Sequence, residues 1–231
     1  MFPRCFDRFT PLLAVHLAAL VLLGGCAVTD APSSGKRSGP DDTAATEPPA
    51  RRYAARVEVD GEMGFTVTEV ASISGSTRSA YHQALILLSQ NDHAGGIVLL
   101  REVTEQAPLL TAPFVDLGIA HARNGDLEAA EASFREALSR TPNHPVANNE
   151  LGIVLRRIGR FEDSRRSYEK ALAVQPGFHF ARRNLAVLCD LYLADLDCAM
   201  TNYRAYLDVV PDDRDVQIWL TDIQARVGSS P

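Results

Sequence analysis

Residues 145–178 read PVANNELGIVLRRIGRFEDSRRSYEKALAVQPGF, and this stretch decides the fold. Counted from Pro145, Leu151-Gly152 occupy places seven and eight, Ser164 place twenty, Tyr168 place twenty-four, Ala171 place twenty-seven and Pro176 place thirty-two. The unit upstream repeats the pattern with Leu117-Gly118, Ala130, Phe134, Ala137 and Pro142, and the unit downstream with Leu185-Ala186, Ala199, Tyr203, Tyr206 and Pro211. A more degenerate first unit has Gln83-Ala84, Gly96, Leu100, Val103 and Pro108. The prolines are spaced 34, 34 and 35 residues, so the fourth unit carries one extra residue between its helices. Gly, Ala or Ser at places eight and twenty lets two antiparallel helices approach, and the aromatic at place twenty-four fills the space beside that contact. Proline stops the second helix, and Asn124-Gly125 and Gly159 stand where the first must end, because glycine adopts a left-handed cap at little cost.

This register resembles the tetratricopeptide repeat over residues 77–211. The resemblance implies an all-α, right-handed solenoid of four helix pairs, expected at 77–90 with 93–106, 112–123 with 126–140, 145–158 with 160–174, and 179–192 with 195–209. Residues 212–227 predict a capping helix whose apolar stripe is Ile218, Leu220, Ile223 and Val227, with Trp219 beside it. Such a helix is the usual way to close the apolar end of a solenoid. Ahead of the repeats, residues 51–76 alternate (Val57 and Val59, Phe65 and Val67) around Asp60-Gly61, which predicts a short hairpin or extended arm. A lone hairpin is marginal in water, so it is expected to pack on the first helices or on a partner.

The N-terminal region reads as a targeting segment. Arg4 and Arg8 precede an apolar run from Pro11 to Leu23 broken by His16. That run has signal-peptide length and falls short of the roughly 20 residues a bilayer span needs. It ends in Leu23-Gly24-Gly25-Cys26, which resembles the bacterial lipobox at all four positions. The resemblance implies a signal peptide over 1–25 and a triacylated Cys26 carrying diacylglyceryl and palmitate chains, more than the two chains stable anchoring requires. Ala27 follows where inner-membrane lipoproteins carry Asp, so the expected place is the outer membrane, facing the periplasm. Residues 26–50 are rich in Ser, Pro, Gly, Thr, Asp and Ala, a composition that cannot bury enough surface to order itself, and predict a flexible tether.

Composition narrows the partners. The chain has 231 residues and a formal net charge of −6; removing Arg4, Arg8 and Asp7 with the signal peptide brings it to −7. Nucleic acid requires a basic face, so it is not an expected partner. No glycine-rich phosphate loop, nucleophile turn or paired-acid constellation is present. The six histidines (His16, His82, His93, His121, His144, His179) share no metal-ligand spacing with a thiol or carboxylate, and His121 falls where the repeat packs an aromatic. No enzyme activity, cofactor or metal is expected. Cys189 and Cys198 lie near the end of one helix and the start of its partner. They suit either a disulfide clamping the fourth repeat or two small buried apolar side chains, and spacing leaves both open.

In the tetratricopeptide family the first helix of each pair lines a concave groove. Carried over by place, the resemblance implies a partner-binding surface of Tyr81, His82, Leu85, Val115, Asp116, Ile119, Asn149, Glu150, Ile153, Arg156, Phe180, Arg183, Asn184 and Val187. The Lys/Asn/Arg clamp with which some members hold a terminal carboxylate is absent, since those places hold Val115, Ile119, Glu150, Phe180 and Asn184. The combined features resemble small lipidated repeat proteins that accompany pilus and secretin assembly. Residues Ala181–Leu193 (ARRNLAVLCDLYL) also resemble repeat lipoproteins that accompany TonB/ExbB/ExbD-type systems. The expected function is a membrane-anchored scaffold for an envelope complex; the alternative is a peptidoglycan-related accessory or regulator of a wall enzyme.

Overall fold

The computed structural model describes residues 55–61, 64–69 and 71–228. The expected signal peptide over 1–25, Cys26 and the expected tether over 26–50 lie outside the described residues. Two strands, β1 (Ala55–Asp60) and β2 (Gly64–Glu69), pair antiparallel with Val57 opposite Val67 and Val59 opposite Phe65. Eight helices follow as four antiparallel pairs: α1 (Gly75–Ser89) with α2 (His93–Gln106), α3 (Ala112–Asn124) with α4 (Leu127–Arg140), α5 (Pro145–Arg157) with α6 (Phe161–Val174), and α7 (His179–Leu191) with α8 (Leu196–Leu207). A last helix, α9 (Arg214–Gly228), packs on α8. Every helix lies within two residues of its expected span. The architecture is the expected solenoid of the tetratricopeptide type.

The repeated small residues work by direct contact. A Cβ built on Gly118 would lie 2.6 Å from the Phe134 ring, and one on Gly152 would lie 2.5 Å from the Tyr168 ring. Both aromatics are fully buried. In the first pair the contact is inverted: a Cβ on Gly96, in the second helix, would meet Leu88 of the first at 2.4 Å. The turns between paired helices need left-handed backbone, supplied by Gly125 at φ 91° and Gly159 at φ 81° in the middle pairs, and by Asn91 at φ 63° and Ala194 at φ 53° in the outer ones. A non-glycine residue there carries a steric cost of about 1–2 kcal/mol.

After three of the four repeat prolines, the proline carbonyl is satisfied from the next helix along the chain. Asn148 donates to the Pro142 carbonyl at 3.0 Å, Arg182 to Pro176 at 3.0 Å and Gln217 to Pro211 at 2.6 Å, each six residues on. Phe114 holds the corresponding place in the second pair, so Arg140 reaches back to the Pro108 carbonyl instead, at 2.6 Å, with its guanidinium 3.9 Å from the centre of the Phe114 ring.

Two expectations need correction. The hairpin does not rest on the first helices; it runs along the N-terminal ends of the later ones. Glu69 accepts from the backbone N–H groups of Thr111 and Ala112 at 2.7 and 3.0 Å. At the other end of β2, Gln175 donates to the Gly64 carbonyl at 2.6 Å, and Phe65 packs edge-on against Phe178 with ring centres 5.3 Å apart. The reason is an unmet demand. The Thr111 side chain does not cap α3, so its first N–H groups take a carboxylate from elsewhere, and an anion at a helix N-terminus is favoured. The second correction concerns α9. Ile218 and Val227 are exposed, while Val216, Trp219, Leu220 and Ile223 face the core. Those four follow the 0, 3, 4, 7 spacing of one helix face, so the docking stripe is rotated from the expected one.

Candidate protein-binding groove

First helices of neighbouring pairs touch directly, α3 with α5 and α5 with α7, besides their contacts within each pair. They therefore form the inner, crowded side of the solenoid, and the side chains at their places five, six, nine, twelve and thirteen line it in three parallel lanes.

The first lane is a polar ladder in which place five of one first helix meets place six of the next. Tyr81 donates to Asp116 at 2.5 Å, and Asn184 donates to Asn149 at 2.9 Å. The Arg183 guanidinium lies 5.3 Å from the centre of the Trp219 ring on α9, so α9 continues the groove as a fifth first helix would. The rung between these pairs is different. Val115 holds place five and cannot bond Glu150, which takes a hydrogen bond from its own neighbour Asn149 at 3.1 Å. The second lane, at place nine, is apolar: Leu85 is 37 % exposed, and Ile119, Ile153 and Val187 are half-buried. The third lane, at places twelve and thirteen, is held by arginines. Arg157 donates to the Ala122 carbonyl at 2.8 Å, Arg226 to Asp190 at 2.5 Å, and Arg156 to the Tyr192 hydroxyl at 3.4 Å.

Electrostatics concentrate in the polar ladder. Burial pushes Asp116 up to about 6; the Tyr81 hydrogen bond opposes this and the Glu69 charge adds to it. Burial also raises Glu150, against a hydrogen bond from Asn149 and the charge of Arg123. The Tyr81 hydroxyl is raised by burial and by its Asp116 neighbour. Among the described residues, no Lys, Arg or His nitrogen lies within 4.0 Å of the Asp116, Glu150 or Glu69 carboxylate.

The structure divides the expected groove residues among the ladder, the apolar lane, the arginine lane, which takes Arg156, the floor and the margin. Tyr81, Asp116, Glu150, Arg183 and Asn184 form or border the ladder, and Leu85, Ile119, Ile153 and Val187 form the lane beside it. Val115 and Asn149 sit in the right helices but are 4 % and 3 % exposed, so they build the floor and present little to a partner. His82 is exposed at the margin, and Phe180 joins an aromatic cluster with Phe178, 6.0 Å away, near the hairpin. His121 is buried as expected, with Nδ1 3.5 Å from Asp126. His144 caps α5 by accepting from the Ala147 N–H at 3.2 Å, and burial lowers it to about 4.

Glu69 and Trp219 escape sequence reasoning. Glu69 stands in a segment whose alternation is informative and whose charge is not; Trp219 reads as cap packing. The offset of 36 residues from Arg183, matching the 35-residue rungs plus the inserted residue, is the available signal for Trp219. Cys189 and Cys198 are joined in a disulfide with Cα atoms 5.9 Å apart. Asp195 stands beside them with donor atoms within 4.8 Å of one another, but bonded sulfurs offer no thiolate to a metal. No described helix is long and apolar enough to cross a membrane.

Comparison with known proteins agrees with this architecture. The family model described as tetratricopeptide repeat matches residues 115–178 and 149–191. The solved structure "MamA 41-end from Desulfovibrio magneticus RS-1" superposes with a TM-score of 0.62 at 20 % identity, covering 68 % of this chain and 88 % of that one. A Pseudomonas aeruginosa structure titled for the functional characterization of pilF gives 0.59 at 17 %, covering 65 % and 68 %. A thermophilic TPR protein in Thermus thermophilus gives 0.55 at 20 %, covering 64 % and 81 %. These identities carry the fold alone. No curated protein matches the sequence.

Proposed function

We propose that this tetratricopeptide-type solenoid is a membrane-anchored scaffold that holds a segment of a partner protein in its concave groove. The observation that carries the reading is the half-exposed apolar lane of Leu85, Ile119, Ile153 and Val187 set between two polar lanes. Apolar contacts supply the affinity of most protein interfaces, and polar neighbours fix the register. The side chains that flank the lane are already tied to one another, so little ordering entropy remains to be lost on binding.

The anchor in this reading is an acylated Cys26, and the setting is the periplasmic face of the bacterial outer membrane. Support comes from the Leu23-Gly24-Gly25-Cys26 sequence after a signal-length apolar run. The partner is a component of an envelope assembly, of the pilus and secretin kind or the TonB/ExbB/ExbD kind, on the resemblances of the sequence. Tethering by residues 26–50 concentrates the groove near membrane-bound partners without further contacts.

One experiment addresses both halves. The full chain is expressed in a Gram-negative host with a C-terminal tag, beside Cys26→Ala and an Ile119→Glu/Ile153→Glu double variant. The parent fractionates with membranes, carries labelled palmitate and retains a defined envelope protein; Cys26→Ala loses the label and the membrane. The double variant keeps its helical circular dichroism and loses the retained protein. Unaltered retention by the double variant refutes the groove, and an unlabelled parent refutes the anchor.

A further inference from the structure

The polar ladder has one irregular rung, and it lies at the centre of the groove. Tyr81 with Asp116, Asn149 with Asn184 and Arg183 with Trp219 each join place five to place six of the next helix. At the remaining step place five is Val115 and place six of the next helix is Glu150, and an aliphatic side chain offers a carboxylate no hydrogen bond. Asp116, beside Val115 on α3, has one carboxylate oxygen occupied by Tyr81 and the other without a hydrogen bond among the described residues; Glu150 likewise accepts at one oxygen. Two half-buried carboxyls with spare acceptor capacity thus lie at the same step, and holding a carboxylate partly out of water without a counter-charge is costly.

Among the described residues, no cation forms an ion pair with either carboxylate, and none acts on Asp116. Arg156 is spread over the Tyr192 ring, Arg157 donates to the Ala122 carbonyl, and Arg183 lies over Trp219. The charge of Arg123 is felt at Glu150 but its nitrogens lie beyond ion-pair distance. A bare metal ion does not suit the gap: among the described residues, the one place where three His, Cys, Asp or Glu donors converge is at Cys189, Asp195 and Cys198. The apolar lane runs one helical turn, about 5 Å, from the gap. Its nearest members, Ile119 and Ile153, stand on adjacent first helices, which pack roughly 8–10 Å apart. A polyproline-II segment has three residues per turn and rises about 3.1 Å per residue, so residues three apart in a bound segment share one face, about 9 Å apart, and reach both isoleucines.

We infer that the gap between Val115 and Glu150, beside Asp116, receives a lysine or arginine side chain of the partner, carried between two apolar residues three apart that seat on Ile119 and Ile153. This rests on the groove reading above and adds the chemistry of the occupant. The charged head lies between the two carboxylates, with no bond made or broken, while its aliphatic stem runs over Val115. A neutral or acidic side chain at the same position leaves both carboxyls unmatched.

The test measures fluorescence anisotropy of the full chain with labelled, acetylated peptides in which two leucines three apart flank a variable position. The variable residue is arginine, lysine, citrulline, norleucine or glutamate. Arginine and lysine peptides are expected to bind at least about tenfold tighter than citrulline. An Asp116→Asn/Glu150→Gln variant, checked by circular dichroism for unchanged helix content, erases that preference. Ile153→Ala weakens all the peptides alike. Equal affinity across the panel, with the Ile153→Ala loss retained, overturns the cation site and leaves the groove standing. Absence of binding to the arginine and lysine peptides also overturns the cation site. An arginine preference that survives both Asp116→Asn/Glu150→Gln and Ile153→Ala places binding elsewhere and overturns groove and cation site together.

Discussion

The third and fourth repeats reach the same shape by different means. In α5–α6, Gly152 admits the Tyr168 ring against the helix backbone, Ser164 donates to the Gly152 carbonyl at 2.6 Å, and Gly159 makes the turn. In α7–α8, Ala186 replaces that glycine, the turn is one residue longer, Ala194 takes the left-handed position, and the Cys189–Cys198 disulfide joins the two helices. Asp195 adds a cap, accepting from the Cys198 N–H at 3.1 Å and pairing with Arg165 of α6 at 2.9 Å. The third repeat is held by close packing and the fourth by a covalent link across a strained turn. Repeat architecture therefore constrains the helix-pair geometry, while the device that secures it varies from unit to unit.

Chemical reduction is the largest way to break the comparison. Closing a loop of nine residues stabilises by about 2–4 kcal/mol in the chain-entropy account. Reducing the bond, or making Cys189→Ser/Cys198→Ser, is expected to speed amide hydrogen exchange in α7–α9 while α3–α6 stay protected. Uniform exchange across the chain would mean the fourth repeat is not separately clamped. Next comes Gly152→Ala. Its methyl overlaps the buried Tyr168 ring, so destabilisation of about 1–3 kcal/mol is expected, read as a lower urea midpoint; Ala186→Gly should cost about 1 kcal/mol through helix propensity. Equal losses would refute the packing distinction.

Among the rungs, Tyr81–Asp116 titrates and Asn149–Asn184 does not. Asp116 has its folded value raised to about 6 from 3.8. The unfolded chain therefore releases the proton first, and stability falls as pH rises from about 4 to about 6 and stays lower above that. Asp116→Asn keeps an acceptor for Tyr81 and should stabilise by about 1–3 kcal/mol at pH 8, with little effect below pH 4. A pH-independent difference in thermal midpoint would remove the buried-carboxyl account. The smallest expected effect is at the turn. Ala194→Gly relieves the left-handed strain and should gain about 1 kcal/mol, whereas Gly159→Ala should lose a similar amount.

Helix spans, the small-residue contacts of the middle pairs and the turns at Gly125 and Gly159 were legible in the sequence because each depends on neighbours within one 34-residue unit. Gly118 and Gly152 announce their aromatic partners at a fixed offset in the same pair. The groove was partly legible for the same reason: the places that line it recur. Val115 and Asn149 show where this stops, since a place on the inner face does not say how far the next pair covers it.

What the amino-acid order determined by itself was periodic: four helix pairs, their ends, and the identity of the inner-facing lanes. What only the tertiary structure decided was everything joining residues from different units or from outside the repeats. The Glu69 cap on α3 spans 42 residues, the Gln175–Gly64 bond spans 111, and the rotated stripe of α9 follows the surface that α8 offers. Local helix formation is dictated by nearest neighbours along the chain. A carboxylate seeking a distant helix end, or a gap left where one rung fails to close, depends on distances that exist only once the units have stacked.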